Sequence, residues 1–139
     1  GITSSDPENA FSSRIDLKKY SRGMGTNFLP GGLSSTSRFV RAAFTKYNSV
    51  CDKDEISSVN QFFHILDSVD QQRGCCELSS NKYEITIYSS CCNLDDGIYY
   101  YKTYNNHQIN AVKLSNIDIE GEKMLSYALL DKENINYQK

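Results

Sequence analysis

Tryptophan is absent from this chain, and proline and histidine occur only twice each. His64 and His107 are therefore the only imidazoles that could serve a metal or act as a general base. Charge of one sign is lacking too: 15 Lys and Arg stand against 17 Asp and Glu, a net charge of −2. That balance leaves no electrostatic footprint for nucleic acid or for an anionic membrane. No run approaches the ~18 consecutive apolar residues of a membrane span, and no apolar signal core opens the chain. The expectation is a cytoplasmic protein with no membrane and no nucleic-acid partner. Cysteine is present, but in an unhelpful pattern: Cys51, Cys75, Cys76, Cys91 and Cys92 are odd in number and lack Cys-x-x-Cys spacing. Adjacent cysteines make strained bridges, so Cys91 and Cys92 are expected as small strand residues in a reduced protein. Neither a metal nor another cofactor is expected. A rival reading pairs one internal thiol with a histidine, without any local signature to support it.

The richest stretch is residues 21–44, Ser-Arg-Gly-Met-Gly-Thr-Asn-Phe-Leu-Pro-Gly-Gly-Leu-Ser-Ser-Thr-Ser-Arg-Phe-Val-Arg-Ala-Ala-Phe. Gly23, Gly25, Gly31 and Gly32 with Pro30 predict a tightly shaped loop up to Leu33. Ser34, Ser35, Thr36 and Ser37 then offer N-caps for a helix over 35–48, whose apolar face is Phe39, Ala42, Ala43 and Tyr47. Arg38 falls in the first turn of that helix. A cation there opposes the helix dipole at a cost of a few tenths of a kcal/mol, roughly, unless something anionic lies nearby.

Several segments resemble the choloylglycine hydrolase family, which contains bile salt hydrolases and penicillin V acylases. They are the Ser37-Arg38-Phe39-Val40-Arg41-Ala42-Ala43-Phe44 run with the loop before it, then Gln61-Phe62-Phe63-His64-Ile65-Leu66, Tyr83-Glu84-Ile85-Thr86-Ile87-Tyr88-Ser89-Ser90-Cys91-Cys92 and Gly97-Ile98-Tyr99-Tyr100-Tyr101-Lys102-Thr103-Tyr104. The resemblance runs along nearly the whole chain and covers the C-terminal part of the family. It implies an N-terminal nucleophile hydrolase, in which an N-terminal Cys attacks the amide carbonyl and its own α-amino group acts as base. This chain opens Gly1-Ile2-Thr3-Ser4, so that thiol is not at its start. The other family site residues, an Arg, an Asp and two Asn, belong to the N-terminal part. The catalytic position that carries over is Arg38, which in the family lies close to the nucleophilic sulfur. A guanidinium suits that place because it stays charged, favours a thiolate and can donate to developing negative charge. Arg41 is expected to be structural. One departure stands out: the family commonly reads Gly-Leu-Gly-Leu-Pro-Gly-Asp across the loop, whereas Thr26-Asn27-Phe28-Leu29-Pro30-Gly31-Gly32 puts a glycine where that Asp would cap or pair.

Downstream, Ile56, Val59, Phe62, Phe63, Leu66 and Val69 form a helical stripe over 56–69, with His64 beside it. Residues 71–81 read as a loop. Strands are then predicted over 83–90 and 98–104, joined through Asn93-Leu94-Asp95-Asp96-Gly97, and over 109–114 and 124–129. His107 falls in a turn with no partner in sight. Apolar residues lie on both sides of these strands, so two helices leave one face of roughly 400 Å² to cover, at ~4.8 Å between strands and about 20 Å of strand. Faces of that size take a partner.

The expected fold is α+β, half of a four-layer αββα sandwich with two helices on an antiparallel sheet of about four strands. Residues 1–139 make one part of a single domain: a loop-rich 1–33, helices in 34–70 and strands in 83–130. The family implies oligomer contacts through the first segment, and a homo-oligomer at full length. Function is expected to be that of the C-terminal part of an amidase for glycine- or taurine-conjugated bile salts or penicillin V-like amides, inactive until the missing N-terminal half supplies the nucleophile. The alternative is a truncated, non-catalytic binding or oligomerisation module, in which Tyr99, Tyr100, Tyr101 and Tyr104 meet a steroid-like ligand or a partner sheet. The core reading of those tyrosines is favoured.

Overall fold

A computed structural model describes residues 26–138. The expected irregular segment over 1–20, and Gly23 and Gly25 of the loop, lie outside the described residues. The chain divides into two compact units, residues 1–41 and 42–139.

In the described part of the first unit, a turn closed by the Leu29 N–H on the Thr26 carbonyl at 2.9 Å leads into helix α1 (Ser35–Asn48). The bounds match the serine cap and the 3.6-residue period. Ser34 Oγ accepts the Ser37 N–H at 3.2 Å, satisfying one of the donors that every helix start leaves open. At the other end Asn48 Nδ2 donates to the Phe44 carbonyl at 2.8 Å. The expected apolar face of α1 is only partly covered: Ala42 and Ala43 are half-buried, while Phe39 is 72% exposed and Tyr47 83%. Helical spacing aligns a stripe, but burial of the two large rings requires a neighbour.

The second unit carries the core. Helix α2 (Glu55–Asp67) starts where Asp54 Oδ1 accepts the Ser57 N–H at 2.8 Å, with Glu55 favourably placed in its first turn. It ends two residues before the expected bound, because Val69 and Asp70 turn back onto the carbonyls of Leu66 and Asp67. A two-stranded hairpin, β1 (Glu77–Ser79) and β2 (Lys82–Tyr83), occupies the end of the expected loop and the residues beyond it. Its turn holds Asn81 at φ 59°, a left-handed conformation that asparagine tolerates. The strand expected over 83–90 is displaced. The Glu84 and Thr86 amides bond back to the Cys76 and Gln71 carbonyls, so pairing with the main sheet starts later.

That sheet is the antiparallel meander β3 (Tyr88–Asn93), β4 (Ile98–Thr103), β5 (Asn106–Lys113). The first turn forms as the sequence predicts. Asn93 Oδ1 accepts the amides of Asp95 at 3.1 Å and Asp96 at 3.2 Å, and Gly97 takes φ 61°. Register places Cys91 opposite Tyr100, and Tyr100 opposite Ala111. By the two-residue period, Ile98, Tyr100 and Lys102 point to one face and Tyr99, Tyr101 and Thr103 to the other. Helix α2 lies on the first face. Phe63, 3% exposed, meets Ile98 and Tyr100 there, ringed by Val59, Leu66, Cys91 and Ile109. Residues 124–129, expected as a strand, join no ladder among the described residues. The observed fold is thus α+β, two helices with antiparallel sheets of two and three strands.

Phe63→Ala removes the ring at the centre of this cluster and should lower the stability of the chain by about 3–5 kcal/mol, read as a shifted urea midpoint with unchanged slope.

Candidate functional site

Arg38 lies in the first turn of α1, half-buried, with its own N–H on the Ser34 carbonyl at 2.9 Å. The hydroxyls of Ser34 and Ser37 sit 3.0 Å apart just before it. Arg41, one turn on, holds the loop: its Nη1 donates to the Pro30 carbonyl at 3.0 Å and to the Gly32 carbonyl at 2.6 Å. This is the structural part expected of it, since a charged donor on two carbonyls fixes a turn that makes few ladder bonds. A Cβ at Gly32 would stand 3.2 Å from Ser37 Oγ, a tight contact with a rotatable hydroxyl, on the side where an Asp side chain would meet the helix start.

The second unit holds a polar cluster that sequence reasoning missed. The Lys102 ammonium pairs with Asp67 and lies 5.7 Å from the centre of the Phe63 ring. Asp70 is close by in a cavity of about 290 Å³ that Thr86, Lys102, Thr103 and His107 also line. Burial, reinforced by the Asp67 carboxylate, raises the Asp70 pKa above its ordinary value against the opposing pull of Lys102 and the Thr86 hydroxyl. A signal was there to be read: Asp67 ends a helix, where a carboxylate opposes the dipole and needs a cation. What the pattern hides is that Lys102 falls on the covered face of β4.

Of the four tyrosines, for which the core reading is favoured over ligand contact, Tyr100 at 8% and Tyr101 at 9% exposure are core residues, while Tyr99 is 40% exposed. Tyr100 donates to Glu55, and Tyr104 Oη accepts the Arg73 N–H at 2.9 Å. Tyr99 stacks on Tyr101 across the open face, ring centres 6.2 Å apart. His64 is exposed and meets Asn60 Nδ2 at 3.4 Å. His107 departs from expectation. It belongs to β5, and both its N–H (3.0 Å) and its Nδ1 (2.5 Å) reach Glu133. The partner is 26 residues away, beyond the reach of a local pattern. Asn105 Nδ2 on Asp131 at 2.8 Å and Asn106 Nδ2 on the Leu130 carbonyl at 3.0 Å complete a clamp on residues 130–133. The five cysteines are free thiols. Among the described residues no group of three or more His, Cys, Asp or Glu is gathered for a metal, and no helix is long and apolar enough to cross a membrane.

In structure, the chain is similar to a mutant conjugated bile acid hydrolase from Clostridium perfringens at TM-score 0.78 and 34% identity, over 96% of this chain and 40% of that one. Its fold is also like that of penicillin V acylase from Agrobacterium tumefaciens, at TM-score 0.56 and 16% identity over 73% and 31%. The model of the linear amide C–N hydrolases, choloylglycine hydrolase family, matches residues 1–127, and the chain belongs to that family. A bile salt hydrolase/transferase of Lactiplantibacillus plantarum is 57% identical over 128 residues, 92% of this chain and 40% of the relative. The chain thus spans about 40% of the length of these relatives.

Hydrogen bonds to the carboxylates lower the pKa of Glu133, chiefly from the His107 amide, and of Asp131, chiefly from the Asn105 side chain. A lowered carboxylate stabilises the folded state above its unfolded pKa and loses that effect as pH falls through the folded value. The clamp should therefore hold at neutral pH and release in acid. The His107 amide signal is expected to titrate with a midpoint below 4.5, the ordinary value for Glu133, and Glu133→Ala should abolish that step.

Proposed function

We propose that this chain is the C-terminal portion of one N-terminal nucleophile hydrolase domain, and that it contributes Arg38 to a site for cleaving the amide bond of glycine- or taurine-conjugated bile salts. The observation that carries the reading is the similarity to a bile salt hydrolase/transferase over 92% of the chain, at 57% identity, with the Ser37-Arg38-Phe39 segment inside the matched region. The capped start of α1 supports it by giving Arg38 a defined backbone. Penicillin V-like amides are the second substrate class, on the fold-level likeness to penicillin V acylase.

The nucleophilic Cys and its α-amine come from the remaining part of the family's length. Their attack gives a tetrahedral oxyanion, loss of the amine leaves an acyl-enzyme thioester, and water releases the bile acid. Arg38 stabilises the thiolate before attack and the developing charge during it. By itself the chain is inactive. The second face of the main sheet also fits an incomplete domain: a groove of about 610 Å³ there is lined by Ile87, Tyr88, Tyr99, Val112 and Leu129 among others. A second sheet stacked about 10 Å away would cover it. A homo-oligomer is proposed for the full-length form, and free thiols throughout suit the cytoplasm.

Mixing the chain with the N-terminal portion of a bile salt hydrolase should restore release of glycine or taurine. Arg38→Ala in the restored assembly should then lower the rate on the order of 10²-fold, as loss of a charge-stabilising donor does. Full activity in the variant removes Arg38 from the site. The same apolar groove favours one other reading, a non-catalytic binding module. Titrating a conjugated bile salt into the chain alone separates the two, because saturable binding without turnover, before or after mixing, supports the module.

A further inference from the structure

The first two turns of α1 cover an unusual face. Arg38 and Arg41, three residues apart and so on one side of the helix, are both half-buried, while Phe39 and Val40 between them are 72% and 37% exposed. Two like charges at this spacing weaken a helix, more so near its N-terminal end, and α1 has no acidic residue in its first turn to offset them. Local propensity therefore does not account for the pair.

The two arginines are joined through the loop that precedes the helix. Arg41 Nη1 donates to the Pro30 carbonyl at 3.0 Å and to the Gly32 carbonyl at 2.6 Å, which pins that loop from a point one turn inside the helix. Gly32 lies against Ser37, since a Cβ there would stand 3.2 Å from the Ser37 hydroxyl. No left-handed φ calls for glycine at position 32. What glycine contributes is the missing side chain, which lets the loop close on the first turn. Ser37 is tied to Ser34 through its N–H at 3.2 Å and its hydroxyl at 3.0 Å, and the next amide, that of Arg38, bonds the Ser34 carbonyl at 2.9 Å. A path of bonds and contacts thus runs from the Arg41 guanidinium, through Gly32 and Ser37, to the backbone of Arg38. Helix starts fray because their leading N–H groups lack intrahelical partners, and this one is clipped from within.

We infer that Arg41 is a positioning residue, holding the first turn of α1 so that the Arg38 guanidinium keeps one place beside the nucleophilic thiol and sets that thiol's acidity. The inference rests on the proposed role of Arg38. Arg41 acts at one remove: without its grip on the two carbonyls the first turn loosens, the Arg38 side chain spreads over several positions, and its stabilisation of the thiolate falls with distance.

A double-mutant cycle in the assembly of this chain with the N-terminal portion of a bile salt hydrolase tests this, with the pH dependence of alkylation of the nucleophilic Cys as the readout. A role in folding alone would change the amount of assembly and not the thiol pKa of the assembled protein, which is isolated by size before measurement. Arg41→Met should raise that pKa by about half a unit where Arg38 is present and leave it unchanged where Arg38→Met is already in place. If the Met variant does not assemble, Arg41→Lys, with a shorter reach to the two carbonyls, takes its place and should shift the pKa in the same direction. An unchanged pKa in the Arg41 variant, with a raised one in Arg38→Met, overturns the inference and leaves the proposed function intact. A rise that persists undiminished in the Arg38→Met background also overturns it, because Arg41 would then act on the thiol without Arg38. An unchanged pKa in Arg38→Met itself overturns the inference together with the role of Arg38 on which it rests.

Discussion

Phe63 and Lys102 meet where α2 crosses the main sheet, and most of the second unit is arranged around that meeting. The Phe63 ring fills the space over Ile98 and Tyr100, while the Lys102 ammonium stands 5.7 Å from the ring centre and pairs with Asp67 on the same helix. One contact is non-directional and supplies burial; the other is directional and fixes which turn of the helix faces which strand. A charge set among apolar groups is tolerated only when paired, so Lys102 constrains the sheet register as well as neutralising Asp67. Tyr100, donating to Glu55 at the far end of α2, ties down the other end of the helix.

Much of this was legible in the sequence, for physical reasons. Helices are made by local bonds, so the serine and aspartate caps and the 3.6-residue stripes located α1 and α2 to within two residues. Asn93 and Gly97 named the β3–β4 turn because asparagine and glycine meet turn geometry within a few residues. Strands depend on partners, and there the pattern misled. Residues 124–129 have strand chemistry but no ladder, while Glu77–Ser79 and Lys82–Tyr83 pair with little apolar pattern at all. Of the candidate site, Arg38 is proposed from a cation in the first turn of α1 and from family resemblance, and the structure gives only its place in that turn. The Asp67–Lys102 pair and the Glu133–His107 contact were not legible, since they join residues 35 and 26 positions apart.

In the second unit the face under α2 carries the core cluster. On the other face Tyr101 and Thr103 are buried, but Tyr88 at 57% and Ile87 at 67% exposure border an open groove, and Ile56, at 81%, borders another groove, of about 550 Å³, between α2 and β5. On the proposed function these surfaces have a common explanation, as the places where the rest of the fold seats, since the chain spans 40% of its relatives' length. Residues 130–133 are already fastened to the β4–β5 turn, which holds Leu129 at one end of the first groove. On the proposed function, assembly would bring the nucleophile and complete the packing together, so activity and stability rise in one step.

The central claim is that Arg38 acts on a thiol supplied by the rest of the family fold. The most direct measurement is the pH dependence of iodoacetamide alkylation of that nucleophilic Cys in the mixed assembly, with Arg38 and with Arg38→Met. The account predicts a thiol pKa well below the ordinary value of about 8.5 with Arg38 present, rising by on the order of one unit in the variant. Superimposable alkylation profiles would contradict it.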